Sequence, residues 1–274
     1  MASSSSSEIK PSFKSLSSVS NNEMGIIVSV MQFNAKLFNE GVSDDEYDKL
    51  MIELLTRNEY DFMTVQNLKR YNSIQMIMEE KGYSCLFVLD RMIFKDYPKM
   101  LDDDIGFAIF YRHDKFELKD TKDDFPHHVL IYNKPIGIVG FFRHIITQKQ
   151  IYVASIAIND TPNKLLEINL LFNAFDSYHL DDNVSIIVGT LFDMYDSRHI
   201  DYFKYKYFDD AYSHDDDDND EDDAWEDYES NGMIWFSRNR NVFVDSLLYD
   251  IMSDNNEHFL YVPIGAKLEI PVSQ

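Results

Sequence analysis

The chain has 274 residues, 45% of them hydrophobic, which suffices for one sizeable α/β core and excludes a wholly disordered chain. No apolar run reaches the roughly 18 to 20 residues of a membrane span. The net charge of −23 disfavours nucleic-acid binding through the general surface, since such affinity rests on Lys and Arg displacing counterions. Residues 1–22, MASSSSSEIKPSFKSLSSVSNN, are Ser-rich and poor in core formers, and read as a disordered tail. They carry no apolar segment of a secretory signal. A transit peptide is poorly supported, because the stretch lacks Arg and contains Glu8. The ordered domain is expected over 23–274.

GIIVSVMQF (25–33) reads as a buried strand. SDDEYDKLMIELLTRN (43–58) reads as a helix with Ser43 as N-cap, acids in its first turn, and apolar positions at Tyr47, Leu50, Met51, Leu54 and Leu55. DFMTVQ (61–66) is a short strand, and SIQMIMEEKG a helix stopped by Gly82. YSCLFVL (83–89), IGFAIFYR (105–112) and KFELKD (115–120) follow as strands. PIGIVGFFRHII (135–146) and QIYVASIAI (150–158) form a hairpin turning through TQKQ. TPNKLLEINLLFNAFDSY (161–178) is a helix with Thr161 as N-cap and Pro162 at its first position, and its broad apolar face at Leu165, Leu166, Ile168, Leu170, Leu171 and Phe172 packs on a sheet. SIIVG (185–189), GMIWFS (232–237), VFVDSLLY (242–249) and AKLEIPV (266–272) close the series as strands. This order predicts two packed sheets with helices outside. The hairpins argue against a purely parallel doubly wound sheet.

Residues 209–229 hold 13 Asp or Glu and no Lys or Arg; removing those 13 from −23 leaves −10 for the remainder. They read as a solvated acidic loop whose functional alternative is charge-steered docking to a basic partner. The stretch lacks the Gly and terminal Glu of an EF-hand loop. The single cysteine, Cys85, permits no intrachain disulfide and fits a reducing, intracellular setting, cytoplasmic or nuclear, with a mitochondrial one left open. Its apolar surroundings favour a packed thiol over a nucleophile. His113, His127, His128 and His144 match no metal-ligand spacing and read as surface or strand-edge histidines.

Several segments, in order, resemble the endonuclease/exonuclease/phosphatase superfamily of DNase I-like fold, in its nocturnin/angel/deadenylase-like branch. VMQFNAK resembles the family's first strand, and YDFMTVQNLKR its Leu-Gln-Glu motif. GYSCLF fits the Gly-Tyr strand, and GFAIFYRHDKFEL is similar to Gly-x-Ala-Ile-Phe-Tyr-Arg-x-x-Lys-Phe. IYVASIAI stands at the Val-Ala-Asn-Thr-His-Leu strand, VSIIVGTLFDMYDS at Gly-Asp-Phe-Asn-Ser, and YFKYKYFDDAYS at the segment ending Ser-Ala-Tyr. GMIWFSRNRNVFVDSLLYDI resembles Asp-Tyr-Ile-Trp-Tyr-Ser with its next strand, and VPIGAKLEI the closing Pro-Ser-Asp-His-Leu-Pro-Leu. The resemblance spans residues 25–272.

The resemblance implies a two-sheet α/β sandwich and metal-dependent cleavage of phosphate esters, with carboxylates holding Mg²⁺ and an Asp–His pair for acid/base work. It also implies that this chemistry is nearly erased. The family's Asn is kept as Asn34 and its Gln as Gln66, but the metal-binding Glu is Asn67. The strand His is Ala157, after Ile156. The loop Asp and Asn are Thr190 and Phe192. The Asp before Tyr-Ile-Trp is Gly232, and the closing Ser-Asp-His is Gly265, Ala266 and Lys267. Asp160, Asp193 and Glu269 are the nearest displaced carboxylates. Lys267 reads either as a cation repelling Mg²⁺ from the site or as an edge-strand side chain reaching solvent.

The expectation is a pseudoenzyme with no cofactor, serving as a binding or scaffold subunit with protein partners, linked by analogy to RNA metabolism. A local basic patch at Arg143 with Lys149, or Arg238 with Arg240, is where RNA contact would be sought. Two alternatives remain: a divergent Mg²⁺-dependent phosphodiesterase using Asn34, Asp160 and Asp193, and a ligand-binding module. The emptied cleft of the latter would draw on Asn34, Asn67, Ala157, Phe192, Gly265 and Lys267.

Overall fold

Apolar residues two apart on the strands, and three or four apart on the helices, sort into two layers of core in the computed structural model. It describes residues 25–36, 41–89, 105–119, 128–131, 134–158, 168–170, 172–173, 184–191, 208–211, 232–237, 242–248 and 263–272. The strands are β1 (Ile26–Asn34), β2 (Phe62–Leu68), β3 (Tyr83–Leu89), β4 (Gly106–Arg112), β5 (Phe116–Leu118), β6 (His128–Ile131), β7 (Lys134–His144), β8 (Gln150–Ile158), β9 (Val184–Leu191), β10 (Phe208–Asp210), β11 (Gly232–Ser237), β12 (Phe243–Leu248) and β13 (Ile264–Ile270); the helices are α1 (Asp44–Thr56) and α2 (Tyr71–Glu80).

One sheet of six strands runs β12-β13-β1-β2-β4-β3. The other, of seven, runs β10-β11-β9-β8-β7-β5, with β6 on β7. Only β1/β2 and β8/β9 pair in parallel among the described ladders, each at the centre of its sheet. A parallel pair needs a crossover, which α1 supplies between β1 and β2. Residues 168–170 and 172–173 are helical between β8 and β9, with Ile168 and Phe172 buried one turn apart. This is the mixed two-sheet α/β architecture expected from the sequence.

Alternation fixes the faces. Val28, Val30, Phe62, Ile109, Ile151, Val153, Ile186 and Ile234 meet between the sheets. Met31, Phe33, Met63, Val65 and Phe110 face outward and are covered by Tyr47, Met51, Leu54 and Leu55 of α1 and by Ile74 and Met78 of α2. Burying such side chains contributes about 1.5–3 kcal/mol each. Ser43 caps α1 by accepting from Glu46 N at 3.4 Å. Gly82 ends the α2 segment at φ 89°, where L side chains are strained. Aromatic rings bridge the sheets, Phe62 lying 4.9 Å from Phe142 and 4.6 Å from Phe116 between centroids.

Three expectations change. Strands β6 and β10 were not anticipated. β9 runs through Thr190 and Leu191, so the loop after Gly189 begins later than its apolar run suggested. Asp209 and Asp210, counted in the acidic loop, pair as strand with Phe236 and Trp235. Residues 1–22, most of the 161–178 helix and 212–229 lie outside the described residues.

Candidate functional site

The sandwich interior changes character along its length. On β1 the inward positions run Val28, Val30, Gln32, Asn34; on β2, Phe62, Thr64, Gln66; on β8, Ile151, Val153, Ser155, Ala157. Each series is apolar at first and polar or small at its C-terminal end. β1 with β2, and β8 with β9, run parallel within their sheets, and β11 and β13 run antiparallel to β9 and β1. The ends of β1, β2, β8 and β9 and the starts of β11 and β13 therefore form one end of the sandwich.

There the polar residues are tied together. Gln32 Nε2 donates to Gln66 Oε1 at 2.7 Å, and Gln66 Nε2 donates across the sheets to Ser155 Oγ at 2.8 Å. Asn67 Nδ2 donates to Asn34 Oδ1 at 2.6 Å, and Lys36 N donates to the same oxygen at 3.2 Å. Gln32, Asn34, Gln66 and Ser155 are buried. Their mutual hydrogen bonds offset the cost of burying amides, about 1–3 kcal/mol for a group left unpaired.

Asn67 reaches Asn34 because β2 bulges. The β2/β4 register shifts between Val65 and Leu68, and Asn67 sits at φ 57°. Asn tolerates this left-handed conformation better than most L residues. The chain beyond is pinned where Lys69 N donates to Tyr47 Oη at 3.1 Å, and burial pushes the Tyr47 hydroxyl pKa up. Arg70, also left-handed at φ 51°, clamps Asp48 with two hydrogen bonds of 2.8 and 3.0 Å.

The remaining expected positions divide. Ala157 lies at the end of β8 on the inward face, and its Cα partner is Thr190, which also pairs with Gly232. The ends of β1, β2, β8 and β9 and the start of β11 thus bring Asn34, Asn67, Ala157, Thr190 and Gly232 to one rim. Phe192, Asp160 and Asp193 lie outside the described residues. Ala266 is inward and buried, but packed in the apolar core.

Gly265 and Lys267 do not line a cleft with Asn34. They alternate with Ala266 and so face outward. Lys267 is exposed and pairs with Ser29, five residues before Asn34, roughly 16 Å at strand rise. Nor does Lys267 reach solvent from an edge, since β13 lies between β12 and β1. Glu269 shares that outward face, opposite Ile27 and Phe243, and is no candidate ligand. The physical reason is the two-residue period of a strand, which sends neighbours in one motif to opposite faces.

Gln32 and Ser155 were not singled out from sequence. The available signal was polar residues two apart near strand ends, in phase with an inward apolar face. Cys85 is half-buried, its thiol pKa raised by burial, as expected of a packed residue. Among the described residues, no three of His, Cys, Asp and Glu gather as a metal site. At the rim the described oxygen donors are neutral, and Asn34 Oδ1 and Gln66 Oε1 already accept hydrogen bonds. Mg²⁺ normally needs at least one carboxylate, so the described rim does not fit it.

No protein-family model and no curated protein matches the sequence. Solved structures do match. The human nocturnin catalytic domain is similar with TM-score 0.67 and 15% identity, covering 89% of this chain and 93% of that one. ANGEL2, a 2′,3′-cyclic phosphatase, has TM-score 0.64 and 14% identity, covering 90% and 96%. An endonuclease/exonuclease/phosphatase from Bacteroides vulgatus has TM-score 0.62 and 14% identity, covering 89% and 99%. The fold is that of endonuclease/exonuclease/phosphatase structures. No helix among the described residues is long and apolar enough to cross a membrane.

Proposed function

We propose that this chain is a catalytically inactive relative of those endonuclease/exonuclease/phosphatase structures, serving as a binding or scaffold subunit. The observation behind this reading is the neutral polar set at the open end of the sandwich. Among the described residues, amides and a hydroxyl occupy the rim and hydrogen-bond one another, where hydrolysis would need carboxylates to hold a metal. Retaining the fold without that chemistry leaves recognition as its use. By analogy with the deadenylase-like branch that the sequence resembles, the partner would belong to RNA metabolism. Residues 209–229 add a means of docking to a basic protein, and that contact would weaken sharply as salt is raised.

The test joins calorimetric titration with Mg²⁺ and Mn²⁺ to hydrolysis of poly(A) and adenosine 2′,3′-cyclic phosphate. The expected results are no saturable binding and no turnover above buffer. Metal-dependent turnover lost in Asn34→Ala would overturn the proposal in favour of the divergent phosphodiesterase using Asp160 and Asp193. In parallel, tagged protein recovered from its own cells should bring down a near-stoichiometric partner. If the rim is the docking place, Ala157→Trp should release that partner while the domain stays folded.

A further inference from the structure

Among the described residues, the outer edges of the two sheets are not alike. β12 carries a register shift between Val244 and Ser246 and an exposed Asp245. β10 and β5 are three residues long, and β6 has four residues and its own register shift. Short length, bulges and charge are the devices that stop edges from pairing with foreign strands. β3 has none of them. It is seven residues, YSCLFVL, without charge or proline, and its register with β4 is unbroken from Tyr83 to Leu89.

The direction of its backbone groups follows from one bond. His113 N donates to Gly82 O at 3.3 Å, so 82 and 113 form a hydrogen-bonded pair of the β3/β4 ladder. In an antiparallel ladder such pairs alternate. Ser84, Leu86 and Val88 therefore bond to β4, and the backbone groups of Tyr83, Cys85, Phe87 and Leu89 point out from the sheet. Among the described residues, no strand pairs with that side.

We propose that β3 is a self-association edge: two copies pair antiparallel about a twofold axis at Leu86, joining two six-stranded sheets edge to edge. This register sets Tyr83 opposite Leu89 and Cys85 opposite Phe87, so every outward backbone pair finds an outward pair. A twofold axis is where like charges would face each other, and β3 has none to oppose. The side chains are already held, Phe87 stacking on Tyr71 of α2 at 4.0 Å, so little ordering accompanies pairing. The contact is small and each copy carries −23, so the dimer is weak and tightens as salt screens the repulsion.

Sedimentation of the full chain from low to several hundred micromolar, at low and moderate salt, tests this. The mass should climb from 32.2 kDa toward twice that value, more readily at moderate salt. Phe87→Pro removes an outward N–H without touching a β4 bond, and should remain at the mass of one chain. In a Cys85→Ser background, Leu86→Cys places two thiols at a non-hydrogen-bonded pair. Their Cα atoms would lie about 4.5 Å apart, within disulfide reach, so mild oxidation should cross-link the dimer. If Phe87→Pro fails to fold by circular dichroism, the cross-link decides alone. A chain that stays single throughout overturns the proposal, as does a dimer that neither cross-links at 86 nor responds to Phe87→Pro. Neither result bears on the inactivity of the rim.

Discussion

Asn67 shows at residue scale what a motif comparison leaves out. A motif comparison marks it only as a lost carboxylate. The structure gives it two tasks, holding φ 57° at the β2 bulge and donating to Asn34 at 2.6 Å. The tasks separate by substitution. Asn67→Gly keeps the backbone conformation but loses the hydrogen bond, and should destabilise by about 1 kcal/mol. Asn67→Ala loses both, and should cost roughly 1–2 kcal/mol more than Asn67→Gly. Urea unfolding of the three proteins measures the difference. Equal stabilities for Ala and Gly would mean that the bulge relaxes and that Asn67 carries no conformational load.

At the scale of elements, long runs with clear alternation were legible. β1, β4, β7 and β8 stand where their apolar patterns placed them, and α1 begins at the Ser43 cap. β10 was hidden because Asp209 and Asp210 disfavour strand locally; its pairing with Phe236 and Trp235 overrides that. Facing was the harder matter. Gly265 and Lys267 were placed by motif, and one step of strand parity separated them from the inward Ala266. The β7/β8 turn is an element whose pH response follows from its geometry. Thr147 N donates to His144 Nδ1 at 3.3 Å, which puts the ring's proton on Nε2. Burial holds the His144 pKa below its ordinary 6.5, with Asp61 raising it and Lys115 lowering it to smaller degrees. The unfolded chain then binds the proton more readily than the folded one, so this term is full above pH 6.5 and is lost as pH falls to the folded pKa. His144→Gln should flatten that part of the stability–pH curve. An unchanged slope would assign it to other groups.

Taken whole, the molecule pairs a well-read apolar sandwich with a charge that opposes its compactness. Two parallel strand pairs lie at the centres of two sheets, and the interior passes from aromatic to amide along one axis. Motifs at strand ends located the rim, while its hydrogen-bond pattern, set by contacts between distant segments such as Gln66 and Ser155, was not legible in the sequence. The net charge of −23 acts on this frame as a distributed repulsion. Screening shortens its reach to about 10 Å at 0.1 M salt. The buried amides respond little, because solvent ions do not enter. Thermal unfolding should therefore shift upward by several degrees between low salt and roughly 0.15 M, where added ions relieve repulsion. The same series at pH near 4.5, where the net charge vanishes, should show little dependence on salt. A midpoint that falls with salt at neutral pH would mean that attractive ion pairs, such as Arg70 with Asp48 and Lys115 with Asp61, outweigh the repulsion.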